Sequence, residues 1–221
     1  VSFSVANREP NRDNFTEAGR DERPQHETLY DYEAGYGFGN SRFHVGANLY
    51  FMDYSNQLIL TGKISEIGEA LTSNIKDSYR MGIELTGGVE IARWLDWSGN
   101  LTLSRNKIKN FIESIEVYDA DWNFLREDHN DLGTTDIAFS PDIIANSMFN
   151  FSWKQFSASF NSQFVGRQYI DNTSCKDRSI DPYFVSNLRV GYVFKPKFMK
   201  EIALDVTINN LFNEQYETNA W

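Results

Sequence analysis

Apolar and polar residues alternate along much of this chain with a period of two. Between Arg42 and Asp53, one set of alternate positions is apolar: Phe43, Val45, Ala47, Leu49 and Phe51. The positions between them are His44, Gly46, Asn48 and Tyr50. This pattern predicts a β-strand with one apolar and one polar face, because a helix would scatter the same apolar side chains around its circumference.

The same alternation recurs in the rest of the chain. It is clear at 97–104, 156–164 and 202–209. Weaker alternation predicts partner strands around Tyr30–Phe38, Tyr79–Glu90, Ile143–Phe151 and Phe184–Phe194. With an opening strand at Phe3–Ala6, the pattern predicts about nine strands and an all-β fold.

The connections between these strands alternate between two kinds. Short, turn-rich links fall at 39–40, 94–96, 153–154 and 195–200. Long polar links fall at 8–28, 55–77, 106–141 and 166–182. Short periplasmic turns alternating with long extracellular loops are typical of an antiparallel up-and-down transmembrane β-barrel.

Strands with this alternation also occur in a soluble β-sandwich, which is the alternative fold. Three features favour the barrel. The loop lengths are polarised, and the strands run to roughly ten residues, as a tilted membrane span requires. Aromatic residues also stand where strands end, as in the girdles of membrane barrels: Phe38, Phe51, Tyr54, Trp94, Trp97, Trp153 and Tyr192.

Composition excludes several other classes of protein. The chain carries 21 Lys and Arg against 31 Asp and Glu, a net charge of -10, without the basic cluster that binding to a nucleic acid demands. No stretch approaches the roughly 18 consecutive apolar residues of a membrane-spanning helix. Cys175 is the single cysteine, and His26, His44 and His129 are the only histidines. No pair of them has the spacing of metal ligands, and we expect no cofactor. No Ser, His and Asp set can be picked out as a catalytic triad, because triads are recognised by geometry, and we expect no enzyme.

The link 106–141 contains the candidate ligand contacts. Tyr118, Trp122 and Phe124 are aromatic residues suited to a sugar, a chelate or a peptide, or alternatively to packing the link against its neighbours. His129 stands among Asp128, Asn130 and Asp131. This cluster is suited either to a cationic or metal-bearing ligand or to a solvated acidic loop.

Four segments resemble the TonB-dependent receptors, particularly the large nutrient receptors of Bacteroidetes-like bacteria. VANREPNRD at Val5–Asp13 resembles a motif at the outer end of a barrel strand in that family. VTINNLFNEQY at Val206–Tyr216 is similar to its penultimate-strand motif. YEAGY at Tyr32–Tyr36 and RMGIEL at Arg80–Leu85 resemble two further strands. The resemblance covers almost the whole chain.

The resemblance implies a barrel of roughly 22 strands with a plugged lumen, of which residues 1–221 supply a C-terminal portion. We expect the plug domain, the early strands, the last strand and an export signal to lie outside this sequence. The implied function is TonB-energised uptake of a scarce nutrient across the bacterial outer membrane. Siderophore-iron, haem, cobalamin, a glycan and a peptide all fit the resemblance.

The implied partners are outer-membrane lipids, the ligand, and the TonB complex through an N-terminal region outside this sequence. A surface lipoprotein is a further partner that the resemblance allows. The alternative function is a passive porin or a structural or adhesin barrel. An N-terminal plug domain would discriminate the receptor from a channel, whose lumen is open.

Overall fold

A computed structural model describes residues 1–17, 23–64 and 70–220, without the side chains of 16–17, 61–64 and 70. Twelve strands and one helix occur in these ranges. The strands are β1 Ser2–Arg8, β2 Glu27–Gly39, β3 Phe43–Ile64, β4 Ala70–Ala92, β5 Leu95–Tyr118, β6 Phe124–Asp136, β7 Ile143–Trp153, β8 Phe156–Val165, β9 Gln168–Tyr169, β10 Ser179–Ile180, β11 Tyr183–Phe194 and β12 Ile202–Ile208. The helix, α1, spans Arg12–Glu17. Within the described residues, no helix is long and apolar enough to cross a membrane.

Ten of the strands form one antiparallel sheet. Nine follow one another in the order β1-β2-β3-β4-β5-β7-β8-β11-β12, and β6 pairs with β5 beside this path. These nine are the predicted strands, and consecutive ones are hydrogen-bonded neighbours, so the up-and-down prediction is confirmed. The tenth strand, β6, lies in the segment predicted to be a loop.

The short and long connections lie at opposite ends of the sheet. We call these the turn end and the cap end. At the turn end, β2 and β3 are joined by residues 40–42, where the backbone N–H of Arg42 donates to Asn40 Oδ1 at 2.8 Å. This bond is a local side-chain turn that reverses the chain within three residues.

The register places the apolar side chains on one face of the sheet. Leu49 is opposite Ala34 on β2 and Ile83 on β4, so the apolar residues of successive strands form continuous rows. This apolar face is open, since Leu49 is 55% exposed and Val206 is 61% exposed. In a β-sandwich such side chains would be packed against a second sheet. The sandwich alternative therefore does not fit the described residues.

Two aromatic rows border the apolar face. The cap-end row runs across four strands, with ring centroids 4.9 Å apart for Phe3 and Tyr32, 6.3 Å for Tyr32 and Phe51, and 6.1 Å for Phe51 and Tyr79. The turn-end row includes the pairs Phe38–Phe43, Trp94–Phe151, Phe151–Phe156 and Tyr192–Phe194. Along β3, the eight residue steps from Phe43 to Phe51 span about 27 Å. At a strand tilt of roughly 40° this length corresponds to about 21 Å along the membrane normal, somewhat less than the apolar band of roughly 25 Å in such barrels.

The structure differs from the sequence prediction in two long links. β3 and β4 continue as a two-stranded ribbon through most of 55–77, and β5 and β6 form a second ribbon across 106–141. Alternation did not reveal these extensions because polar residues interrupt the apolar positions, as in the cross-strand pairs Ser55–Asp77 and Glu116–Glu127.

Candidate ligand-binding surface at the cap end

A small hydrophobic core holds the two ribbons together at the cap end. Ile59 of β3, Ile108 of β5 and Ile137 after β6 are all buried, and Ile75 and Phe111 pack against them. Ile108 is fully inaccessible to solvent. Burial of such a side chain contributes roughly 1.5–3 kcal/mol, so the ribbons are stabilised as one unit.

Asn172 fastens the link 166–182 to both ribbons. Its side chain is 2% exposed. Asn172 Nδ2 donates to the backbone carbonyl of Leu60 at 2.7 Å, and Asn172 Oδ1 accepts from the backbone N–H of Ala138 at 2.8 Å. The hydroxyl of Ser174 donates to Asp136 at 2.7 Å, and Asp136 also forms an ion pair with Lys107. These bonds give the link a fixed position.

The link 9–26 is fastened to the β3–β4 ribbon in the same way. Asn14 Nδ2 donates to Thr72 Oγ1 at 2.7 Å. The backbone N–H of Gln25 donates to Asn74 Oδ1 at 2.8 Å, and Asn74 Nδ2 donates back to the carbonyl of Gln25 at 2.9 Å. Ribbons and links thus form a connected cap.

Three of the predicted contact residues come together at the tip of the β5–β6 ribbon. We call Tyr118, Trp122 and Phe124 the aromatic tip. The ring of Tyr118 lies 6.3 Å from that of Trp122 and 6.0 Å, edge on, from that of Phe124. Trp122 is 83% exposed. The three rings therefore pack against one another and still present an aromatic surface to solvent.

The turn beneath the aromatic tip is held by Asp119. Asp119 Oδ1 accepts the backbone N–H groups of Asp121 at 2.9 Å and Asn123 at 2.8 Å, and Asp119 Oδ2 accepts from Asn123 Nδ2 at 3.0 Å. The hydrogen bond from the Asn123 side chain is the main cause of a pKa below the ordinary value for the Asp119 carboxyl. Trp122 has a positive φ of 62° within this turn.

The Asp119 turn predicts a response of the tip to acid. Because its pKa is lower in the folded turn than the ordinary 3.8, Asp119 stabilises the turn above pH 3.8 and loses this effect as the pH falls through the folded value. We expect the fluorescence anisotropy of Trp122, isolated by subtracting a Trp122→Phe variant, to fall in that acid range. An Asp119→Asn variant should show no such transition. An unchanged transition in Asp119→Asn would contradict this assignment.

His129 lies further along β6 and is not part of the aromatic tip. It faces Ser114 of β5, with 3.1 Å between His129 Nδ1 and Ser114 Oγ. Its neighbour Asp128 is paired with Arg126 at 2.8 Å. Among the described residues, no group of three His, Cys, Asp or Glu side chains is arranged to hold a metal ion.

The polar face below the cap carries a network of side-chain hydrogen bonds that the sequence alone does not reveal. Arg80 Nη1 donates to Ser140 Oγ at 3.0 Å and to Asn106 Oδ1 at 3.3 Å. In the sequence Arg80 stands out only as part of the RMGIEL motif, because its partners lie 60 and 26 residues away along the chain. The network joins the wall of the sheet to the segment that leads from β6 to β7.

The chain belongs to the family of TonB-dependent receptors. The model of the family described as TonB dependent receptor-like, beta-barrel matches residues 7–211. Members of this family are outer-membrane β-barrels, and the matched range includes β2 to β12. A search of curated proteins finds none that matches this chain.

Three solved structures of transport proteins have the same fold. The copper transporter OprC is 15% identical with a TM-score of 0.69, and the match covers 98% of this chain and 32% of that one. The ferric yersiniabactin uptake receptor FyuA from Yersinia pestis is 17% identical with a TM-score of 0.69, covering 99% and 30%. The ferric-catecholate import receptor Fiu from E. coli K12 is 15% identical with a TM-score of 0.65, covering 98% and 29%. The chain spans about a third of the length of these structures.

Proposed function

We propose that these residues belong to an outer-membrane receptor that takes up a scarce nutrient with energy from TonB. In this proposal they form a C-terminal part of a barrel of roughly 22 strands, with the apolar face toward lipid and the polar face toward a plugged lumen. The observation that carries the proposal is the ordered cap, which presents an exposed aromatic tip above the barrel wall.

The aromatic tip and its support suit ligand capture. Exposed aromatic side chains on a rigid frame bind flat or bulky organic ligands with little loss of conformational entropy. The Asp119 turn and the Ile108 core supply that rigidity. We propose no catalytic step for the chain. Tyr118, Trp122 and Phe124 are the proposed contacts, with His129 as a more distant one.

We propose an organic metal chelate as the ligand class to test first. The supporting observation is that the three similar structures are named as receptors or transporters of copper, ferric yersiniabactin and ferric catecholates. Haem, cobalamin, glycans and peptides are the other candidate ligands. TonB, engaged outside these residues, and a surface lipoprotein are the proposed protein partners. The resemblance to receptors of Bacteroidetes-like bacteria stays a prediction.

Uptake with and without TonB tests the proposal. Cells that express the full-length protein would be given 55Fe as ferric enterobactin or ferric yersiniabactin, then copper, haem and cobalamin, then glycan and peptide pools. We expect uptake of one ligand that disappears when TonB is deleted. Equal uptake in both strains would favour a passive porin. No uptake of any ligand in either strain would favour the structural or adhesin barrel.

A substitution at the aromatic tip tests the proposed contact. We expect Trp122→Ala in the full-length protein to raise the Kd of the transported ligand about tenfold, because an exposed aromatic anchor contributes about 1.4 kcal/mol or more to binding. Titration of the ligand into the purified receptor measures this Kd. Trp153→Ala, which removes an exposed tryptophan at the turn end, is the matched control and should leave the Kd unchanged. Equal affinities for Trp122→Ala and the parent would remove the tip from the site.

A further inference from the structure

The apolar face carries a groove next to its cap-end aromatic row. The groove has a volume of about 920 Å³ and crosses from β1 to β5. Its lining includes Phe3, Leu49, Met81 and Leu103, and Arg105 stands at its edge. The lining is predominantly apolar, so one cationic side chain at this position requires an explanation.

Arg105 lies at the level of the cap-end aromatic row. The register aligns Phe51 with Met81, and Met81 with Arg105, in one cross-strand row. Aromatic girdles mark the boundary between the hydrocarbon and the headgroups. Arg105 follows Leu103 on the same face of β5 and is exposed, so its guanidinium is at headgroup depth when the barrel is in a membrane.

The cationic side chains next to Arg105 on β5 form ion pairs, whereas Arg105 forms none among the described residues. Lys107 is paired with Asp136, and Lys109 lies 3.9 Å from Asp53. Asp142 lies within electrostatic range of Arg105. Within the described ranges, however, no carboxylate is within ion-pair distance of Arg105, and no hydrogen bond from its guanidinium is found.

We propose that this groove binds an acyl chain of a phosphorylated outer-leaflet lipid, with the Arg105 guanidinium on the headgroup phosphate. A guanidinium offers paired N–H donors that match phosphate oxygens, and such charge-assisted bonds are the strong ones. The apolar lining accepts the chain, and the long arginine side chain keeps its charge at the headgroup level. The inference rests on the proposed function only for the location of the barrel in the outer membrane.

Lipid binding to the purified full-length receptor tests this inference. Native mass spectrometry in detergent would compare bisphosphorylated lipid A with its phosphate-free form. We expect the parent to bind the phosphorylated lipid about tenfold more tightly, as for a single charge-assisted contact. Arg105→Gln should abolish this preference, and Arg105→Lys should keep part of it. Glucosamine phosphate, which has no acyl chain, should not compete at equal concentration.

Lys154→Gln is the matched control, because Lys154 is a cation at the turn end. It should retain the full preference for phosphate. Absence of a preference in the parent, its persistence in Arg105→Gln, or its equal loss in Lys154→Gln would overturn the inference. Cell fractionation separates this failure from that of the proposed function. A receptor found in the outer membrane without phosphate preference refutes the lipid site alone, whereas one found elsewhere refutes both proposals.

Discussion

Gly82→Ala is expected to lower the free energy of unfolding of the full-length barrel by about 3 kcal/mol, the upper part of the usual range for overpacking. A Cβ at this position would lie 2.5 Å from the carbonyl oxygen of Leu103 and 2.7 Å from the hydroxyl oxygen of Tyr50. The first of these atoms is backbone in the neighbouring strand β5. It can retreat only if the hydrogen-bonded register of β4 and β5 is distorted.

Chemical denaturation of the refolded barrel in detergent, followed by tryptophan fluorescence, measures the effect of Gly82→Ala. Gly37→Ala is the matched control, because Gly37 is also within a strand of the sheet and its Cβ would approach only the Val45 carbonyl, at 3.9 Å. We expect Gly37→Ala to leave the midpoint nearly unchanged. Adding Tyr50→Ala to Gly82→Ala should restore only part of the stability, since the Leu103 carbonyl remains. Similar midpoints for the two single variants would contradict the steric argument.

Asn172→Ala is expected to have the second largest effect, a local loss of about 2 kcal/mol in the stability of the cap. It removes the acceptor of the Ala138 amide and the donor to the Leu60 carbonyl. The Ala138 residue is buried, and an unsatisfied buried amide costs about 1–3 kcal/mol. Hydrogen exchange of the 137–142 segment should accelerate about thirtyfold, which is the same free energy expressed as a ratio.

Asn130→Ala is a suitable control for Asn172→Ala. Asn130 is exposed on β6 of the same cap, and within the described residues its side chain makes no hydrogen bond. We expect exchange in Asn130→Ala to match the parent. Exchange in Asn172→Ala that is no faster than in Asn130→Ala would show that Asn172 does not hold the cap together.

The nine strands that form the path of the sheet could be predicted from the sequence, because each has alternate apolar residues on one face. The faces assigned to 43–51 and 202–208 agree with the observed register. β6 could not be predicted this way, since the segment from Arg126 to Asp131 is polar on both faces. Its hydrogen bonds to β5, and not an apolar face, make it a strand.

The candidate site was predictable in part. The aromatic residues 118, 122 and 124 could be selected because they are close together in sequence, and a reversal of the chain between 118 and 124 brings their rings together. Asn172 could not be selected, because the Leu60 carbonyl that it contacts is 112 residues away in sequence. Arg105 could not be selected from the sequence for a different reason. Only the cross-strand register shows that this charged residue lies in the same row as Phe51.

The β5–β6 ribbon can change in length without a change in the geometry of the barrel. Beyond Ile108, β5 no longer pairs with β4, and β6 pairs only with β5. Residues can therefore be added to or removed from the tip, one on each strand, without shifting any hydrogen bond below Ile108. Such paired changes alter how far the tip projects and which side chains it carries. A lineage of receptors with this ribbon can diversify its outer surface while the membrane-spanning register stays the same.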